Sequence, residues 1–203
     1  MTAVCCMPER GRVGILISGR GSNMVSLVEA MRAGRIDADP VVVLSNVPAA
    51  DGLRRAAGFG IPTEVVDQKE VKPRHAHDAA VVAVLKRYKV DLVCLAGYMR
   101  LLSPVMVDAF RDRMLNIHPS LLPAFSGLDA QRQALEYGVK VAGCTVHFVD
   151  EKCDQGPILL QASVPVLGND TEASLSRRIL EQEHVLYPQA VALFFAGLSS
   201  AEL

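Results

Sequence analysis

The chain has 203 residues, half of them hydrophobic, with few aromatic residues and no Trp, which suits a single domain with a large aliphatic core. Lys plus Arg number 21 against 22 Asp plus Glu, and no segment gathers a basic stripe, which excludes the electrostatics of a nucleic-acid partner. No apolar run reaches the ~20 residues of a membrane span, and Met1 to Arg10 lacks the basic start and apolar stretch of a signal peptide, so a cytoplasmic protein with no membrane partner is expected.

The first third alternates short β-branched runs with helical stretches: Val13 to Ile17, Met24 to Met31, Val41 to Leu44, and Leu53 to Ala57. That alternation predicts βαβ units and a parallel sheet. Val65-Val66 reads as a third strand. Arg74 to Tyr88 reads as a helix whose Val81, Val82 and Leu85 share one face, and Leu92 to Ala96 as an apolar strand. Continuous apolarity in these strands implies that helices cover both sheet faces. The fold class expected is therefore α/β: one doubly wound, mostly parallel, Rossmann-like sheet with helices on both faces, forming a single domain over 1–203 with 1–11 as a tail.

After Met114 the texture changes towards α+β. Met114 to Ile117 is short, Pro119 and Pro123 bracket a loop, and Gly143 to Val149 and Ile158 to Val166 read as two further strands. Thr171, with Ser174 three residues on, precedes a long helical pattern that Pro188 is expected to kink or break before Ala190 to Phe195. Of the five cysteines, Cys94 and Cys144 lie in apolar runs as buried thiols, Cys5 and Cys6 lie in the tail, and Cys153 adjoins Asp154. No structural disulfide is expected.

Three runs carry chemistry. Ser18-Gly19-Arg20-Gly21-Ser22-Asn23 joins a strand to a helix, where glycines allow a tight turn and the helix N-terminus offers free N–H groups to a phosphate. It lacks the third glycine of a dinucleotide fingerprint and the Gly-Lys-Ser/Thr of a P-loop. The plain alternative is a turn with Ser22 or Asn23 as N-cap. Asn116-Ile117-His118-Pro119-Ser120-Leu121-Leu122-Pro123 closes a strand where open α/β sheets place ligands. Alternation puts Asn116 and His118 on one face, an amide beside an imidazole able to clamp an oxyanion; a structural His is the alternative. Asp150 to Pro157 is a polar loop whose Asp154, if it met His118, would favour the imidazolium; a solvated turn is the alternative.

In their order, these runs, together with Ala96-Gly97-Tyr98-Met99-Arg100-Leu101-Leu102 and Val146-His147-Phe148-Val149, resemble the folate-dependent formyltransferases. The resemblance covers Val13 to Pro188. Its Gly-Ser-Asn turn and the Glu183-His184 pair point to the branch that formylates glycinamide ribonucleotide. It implies 10-formyltetrahydrofolate as co-substrate, no metal, and small-molecule partners only. It implies Asn116, His118 and Asp154 as the catalytic set, Gly21, Ser22 and Asn23 on the substrate phosphate, and Glu183 orienting the substrate. Arg74, Met99, Arg100, Leu101, Leu102 and Asn116 are implied to hold the folate, with His147 in support. The chain departs from its relatives in Ala124 to Gln131, where Asp129 and Gln131 replace histidines.

Two rivals share the fold: a formyltetrahydrofolate hydrolase with water as acceptor, and a methionyl-tRNA formyltransferase. Each is expected to need a further domain, before Val13 or after Phe195. A non-catalytic phosphate- or nucleotide-binding module would need the glycine turn alone, and the joint presence of Asn116, His118 and Asp154 argues against it.

Overall fold

The computed structural model describes residues 10–197; Cys5, Cys6 and residues 1–9 of the expected tail lie outside the described residues, while its last residue, Gly11, belongs instead to the first strand, in register with Ala38. In chain order the elements are β1 (Gly11–Ile17), α1 (Ser22–Arg32), β2 (Ala38–Ser45), α2 (Asp51–Gly58), β3 (Thr63–Val65), α3 (Arg74–Arg87) and β4 (Leu92–Leu95). There follow α4 (Pro104–Ala109), β5 (Met114–His118), α5 (Ala130–Tyr137), β6 (Val141–Phe148), β7 (Ile158–Pro165) and α6 (Glu172–Phe195). The seven strands form one sheet in the order β3-β2-β1-β4-β5-β6-β7. Pairing is parallel from β3 through β5 and antiparallel at β5–β6 and β6–β7.

Both faces are covered, as the continuous apolar strands require. On one face Val13, Ile15 and Ile17 pack with Met24 and Leu27 of α1 and with Leu175, Ile179 and Val191 of α6. On the other, Leu16, Val42, Leu44 and Val93 pack with Val81, Val82 and Leu85 of α3, with Met106 of α4 and with Phe110 just after it. The strand order reverses between β1 and β4. At that point adjacent carboxyl ends splay, so the turn after β1 and the segment after β4 share one crevice.

Three local expectations are corrected. β3 is Thr63–Val65 rather than Val65-Val66, because Thr63 to Val65 are the residues in register with Val43 to Ser45. The N-cap of α1 is Gly21, at φ 69°, while Ser22 and Asn23 already have helical backbone. Pro188 does not break α6: its neighbours Leu186, Tyr187, Ala190 and Val191 are all buried, and their packing holds the helix together on both sides of the missing N–H. Thr171 does open that helix, in a reciprocal capping box with Ser174, and Arg178 reaches back bidentately to Asp170.

Tyr187, fully buried in α6, sends its hydroxyl to the carbonyls of Leu95 (3.1 Å) and Leu115 (2.9 Å), pinning α6 to the ends of β4 and β5. Tyr187→Phe removes both bonds and leaves each carbonyl to the β4–β5 ladder alone. The expected loss is about 1 kcal/mol, read as a lower denaturant midpoint with the catalytic rate at low temperature retained. An unchanged midpoint would show that the hydroxyl adds no stability.

Candidate active site

β5 ends on the two side chains that alternation placed together. Leu115 and Ile117 enter the core shared with α1 and α6, so Asn116 and His118 face the other way. His118 is buried. Its Nδ1 lies 3.4 Å from Asp154 Oδ2 and its Nε2 lies 2.9 Å from the carbonyl of Phe125. Both ring nitrogens thus face acceptors, and the doubly protonated ring is the form that donates to both. Asn116 Nδ2 is 3.1 Å from His147 Nε2, and the same nitrogen of His147 is 3.7 Å from Asp154 Oδ1. His147 Nδ1 lies 2.8 Å from the carbonyl of Phe148, which fixes the ring.

Asp154 therefore does meet His118. Burial alone would raise its carboxyl, but contacts with His147 and the Gly127 N–H, together with the His118 charge, outweigh this and hold Asp154 well below the ordinary carboxylate range. Asp154 sits at φ 53°, a left-handed conformation that Asp tolerates. Gly156 lies so close to the Phe148 carbonyl that an added Cβ would fall 1.9 Å from that oxygen, so only glycine lets this loop close over β6.

The Pro119-to-Pro123 loop is held by side chains that the sequence did not single out. Thr145 of β6 accepts from the Leu122 N–H (3.0 Å) and donates to the Ser120 carbonyl (2.7 Å), and Gln161 of β7 donates to the Leu122 carbonyl (3.0 Å). Their signal was present, as polar residues inside largely apolar strands. Within the stretch that departs from relatives, Phe125 supplies the carbonyl on His118, Gly127 the N–H on Asp154, and Asp129 pairs with Arg132 as α5 begins.

The glycine turn follows β1, across β4 from β5. No side chain caps α1, so its first-turn amides stay available to an anion. Gly21 has two reasons to be glycine, its positive φ and the Cα of Gly52, which would stand 3.0 Å from a Cβ there. Asn23, 160 residues away from Glu183 in sequence, donates to the Glu183 carboxylate at 2.6 Å, and both are buried. Asn23 Oδ1 is itself buried without a partner.

Of the remaining expected residues, Met99 and Leu101 stand exposed after β4, Leu102 is half-buried, and Arg100 donates to Gln68 at 3.1 Å. Arg74 is exposed at the first residue of α3. Asp78 of that helix accepts from the Ser103 N–H (2.6 Å), tying α3 to the segment that leaves β4. A hollow of about 460 Å³ lies beyond the Pro119 loop, against Tyr137, Val139 and Val141. Its walls carry no charged side chain, so it offers nothing to fix charged substrates. Cys94 and Cys144 are buried free thiols, each pushed up to about 12 by burial. Burial and then the Asp154 charge also raise the Cys153 thiol, which argues against a reactive thiolate there. Among the described residues no group of His, Cys, Asp and Glu could hold a metal, and no helix is long and apolar enough to cross a membrane.

The fold defines the class: a Rossmann-like α/β sheet whose buried polar side chains gather where the parallel strands end. Residues 11–191 match the family model described as formyl transferase. The chain is 50% identical over 191 residues to the trifunctional purine biosynthetic protein adenosine-3 of Drosophila melanogaster, covering 93% of this chain but 14% of that protein. It is 42% identical over 183 residues to phosphoribosylglycinamide formyltransferase of Escherichia coli, covering 90% of this chain and 86% of that one. The solved glycinamide ribonucleotide transformylase 1 of Symbiobacterium toebii superposes with a TM-score of 0.92 at 54% identity, over 94% of this chain and 90% of that chain. The chain belongs to the formyl transferase family.

Burial raises the Glu183 carboxyl, and the Asn23 hydrogen bond opposes this only in part. A carboxyl with a folded pKa above its unfolded value leaves stability intact below the unfolded value and erodes it as pH rises through the folded one. Glu183→Gln keeps an acceptor for Asn23 and removes the charge. Its Tm at pH 8 should exceed wild type by about 2–4 °C, the shift that about 1 kcal/mol gives in a domain of this size. The gap should shrink as the pH falls towards the ordinary Glu range. A gap independent of pH would mean that Glu183 is not the titrating group.

Proposed function

We propose that the chain transfers the formyl group of 10-formyltetrahydrofolate to the amine of glycinamide ribonucleotide, giving formylglycinamide ribonucleotide and tetrahydrofolate in cytoplasmic purine biosynthesis. The observation that carries this reading is the buried His118 ring, set between Asp154 and the Phe125 carbonyl with Asn116 on the same face. The family and the printed names of the relatives support it.

On this reading the amine attacks the formyl carbon and the formyl oxygen gains negative charge. The Asn116 amide and His118 donate to that oxygen. His118 Nε2 does so by exchanging the Phe125 carbonyl for the substrate's oxygen. The new C–N bond forms, the bond to the folate nitrogen breaks, and the amine's proton ends on that nitrogen through water. Asp154 is held too firmly ionised to be an efficient base near neutral pH, so its main part is to keep His118 charged and oriented.

The first-turn amides of α1 at Ser22 and Asn23, opened by Gly21, take the ribonucleotide phosphate, and Glu183, joined to Asn23, orients the amine end. The backbone of Met99, Arg100, Leu101 and Leu102 offers paired donors and acceptors to the pterin edge, flanked by the exposed Met99 and Leu101 side chains. Arg74 supplies a cation for the acidic end of the folate. The uncapped α1 N-terminus favours a phosphorylated acceptor over water, and so transfer over hydrolysis.

Purified protein given 10-formyltetrahydrofolate should release tetrahydrofolate only when glycinamide ribonucleotide is present; equal release with water alone would overturn the reading. His118→Ala and Asp154→Asn should each lower kcat by roughly two orders of magnitude or more. The double variant should lose far less than the product, because the two act as one unit. Multiplicative losses would show that Asp154 does not work through His118.

A further inference from the structure

A closed polar ring lies along the carboxyl edge of the sheet, crossing the ends of four strands. After β1, Ser18 accepts the Met99 N–H on its hydroxyl (2.8 Å), so its own proton goes to Asn46 Oδ1 (2.6 Å) after β2. That fixes the amide of Asn46, whose Nδ2 donates to Gln68 Oε1 (2.9 Å) after β3. The same oxygen of Gln68 accepts from Arg100 NH1 (3.1 Å) after β4, and Arg100 follows Met99 in the chain, which closes the ring. Two backbone bonds brace it, Ser18 N–H to the Gly97 carbonyl (3.0 Å) and Gln68 N–H to the Asn46 carbonyl (3.2 Å). Asn46 is 1% exposed, so its amide is committed to this role. Every link has one possible direction, because each donor is assigned by the link before it.

We propose that Ser18, Asn46 and Gln68 are positioning residues for the folate half of the site: they fix the Met99 to Leu102 backbone and commit the Arg100 guanidinium to the ring rather than to the ligand. The inference rests on the assignment of that segment to the folate. Exposed main chain leaving a strand has no ladder to define it. Here the ring replaces the ladder, and Met99, although 65% exposed, has its amide satisfied by a side chain from another strand. Because Ser18 also opens the glycine turn, the ring sets the folate segment in register with the phosphate end of the cleft.

Gln68 is the residue to vary, being half-buried and two links from Met99. Gln68→Met keeps the length and removes the shared acceptor; Gln68→Glu keeps it. For a non-hydrolysable deaza analogue of the formyl folate, Kd should rise about tenfold in Gln68→Met, the equivalent of one hydrogen bond to a charged group. Exchange of the Met99 amide proton should quicken, and Kd for glycinamide ribonucleotide should stay within about twofold of wild type, well below one hydrogen bond's worth. Gln68→Glu should follow wild type in all three measurements. Unchanged Met99 exchange in Gln68→Met, or equal weakening of both ligands, would overturn the proposal. Wild type that does not bind the analogue would overturn the folate assignment instead, and Met99 exchange would still decide whether the ring orders the backbone.

Discussion

A carboxylate half-enclosed beside a buried imidazole is the constraint on which the edge of this sheet depends. An ionised Asp154 without partners would be costly at that depth. It is tolerated because the N–H of Gly127 and the rings of His118 and His147 converge on it. Each partner comes from a different segment, so satisfying one charge specifies the relative positions of β5, β6, the Ala124-to-Asp129 loop and the Asp150-to-Pro157 loop. The unusual backbone follows from the same demand: Phe125, Gly127, Asp129 and Asp154 all take positive φ, and Gly156 presses on the Phe148 carbonyl. The strain is local, and the converging hydrogen bonds offset it.

A second buried carboxylate organises the other end of the cleft by a different balance. Glu183 has one neutral donor, Asn23, where Asp154 has a main-chain N–H and two imidazoles. Burial therefore prevails at Glu183 and raises it, while contacts prevail at Asp154 and lower it. The Asn23–Glu183 bond also joins α1 to α6, and Tyr187, one turn further along α6, ties that helix to β4 and β5. Leu186 and Tyr187 before Pro188 and Ala190 and Val191 after it are all buried, and that packing carries the helix through a residue that normally ends one.

The fold was legible in the sequence because its signal is local. Val13 to Ile17 and Leu92 to Ala96 are continuous apolar runs, and only a sheet covered on both faces accommodates such strands. The short helices α4 and α5 escaped, since one has six residues and the other buries only Ala130 and Ala134, too few for a helical period to register. In the site, Asn116 and His118 could be paired by alternation alone, whereas the meeting of His118 with Asp154 or of Asn23 with Glu183 depends on contacts across 36 and 160 residues. The ring through Asn46 and Gln68 was invisible for the same reason: each member is an ordinary polar residue after a strand, and only the sheet order brings them into line.

The Phe125 carbonyl makes sense of the resting geometry. Nδ1 of the buried His118 ring faces Asp154, and the fold supplies the acceptor that faces Nε2, the Phe125 carbonyl. A main-chain carbonyl is a neutral acceptor. On the proposed reading, a formyl oxygen that replaces it starts as another neutral acceptor and becomes charged only as the amine attacks. Ground-state exchange then changes the free energy little, one carbonyl for another, whereas the developing oxyanion forms a charge-assisted bond that Phe125 could never match. The gain is confined to the transition state, which is the condition for it to raise the rate rather than the affinity. The departure of Ala124 to Gln131 from its relatives leaves this intact, because the loop contributes its main chain at Phe125 and Gly127, and a main-chain carbonyl and N–H are present whatever side chains the segment carries.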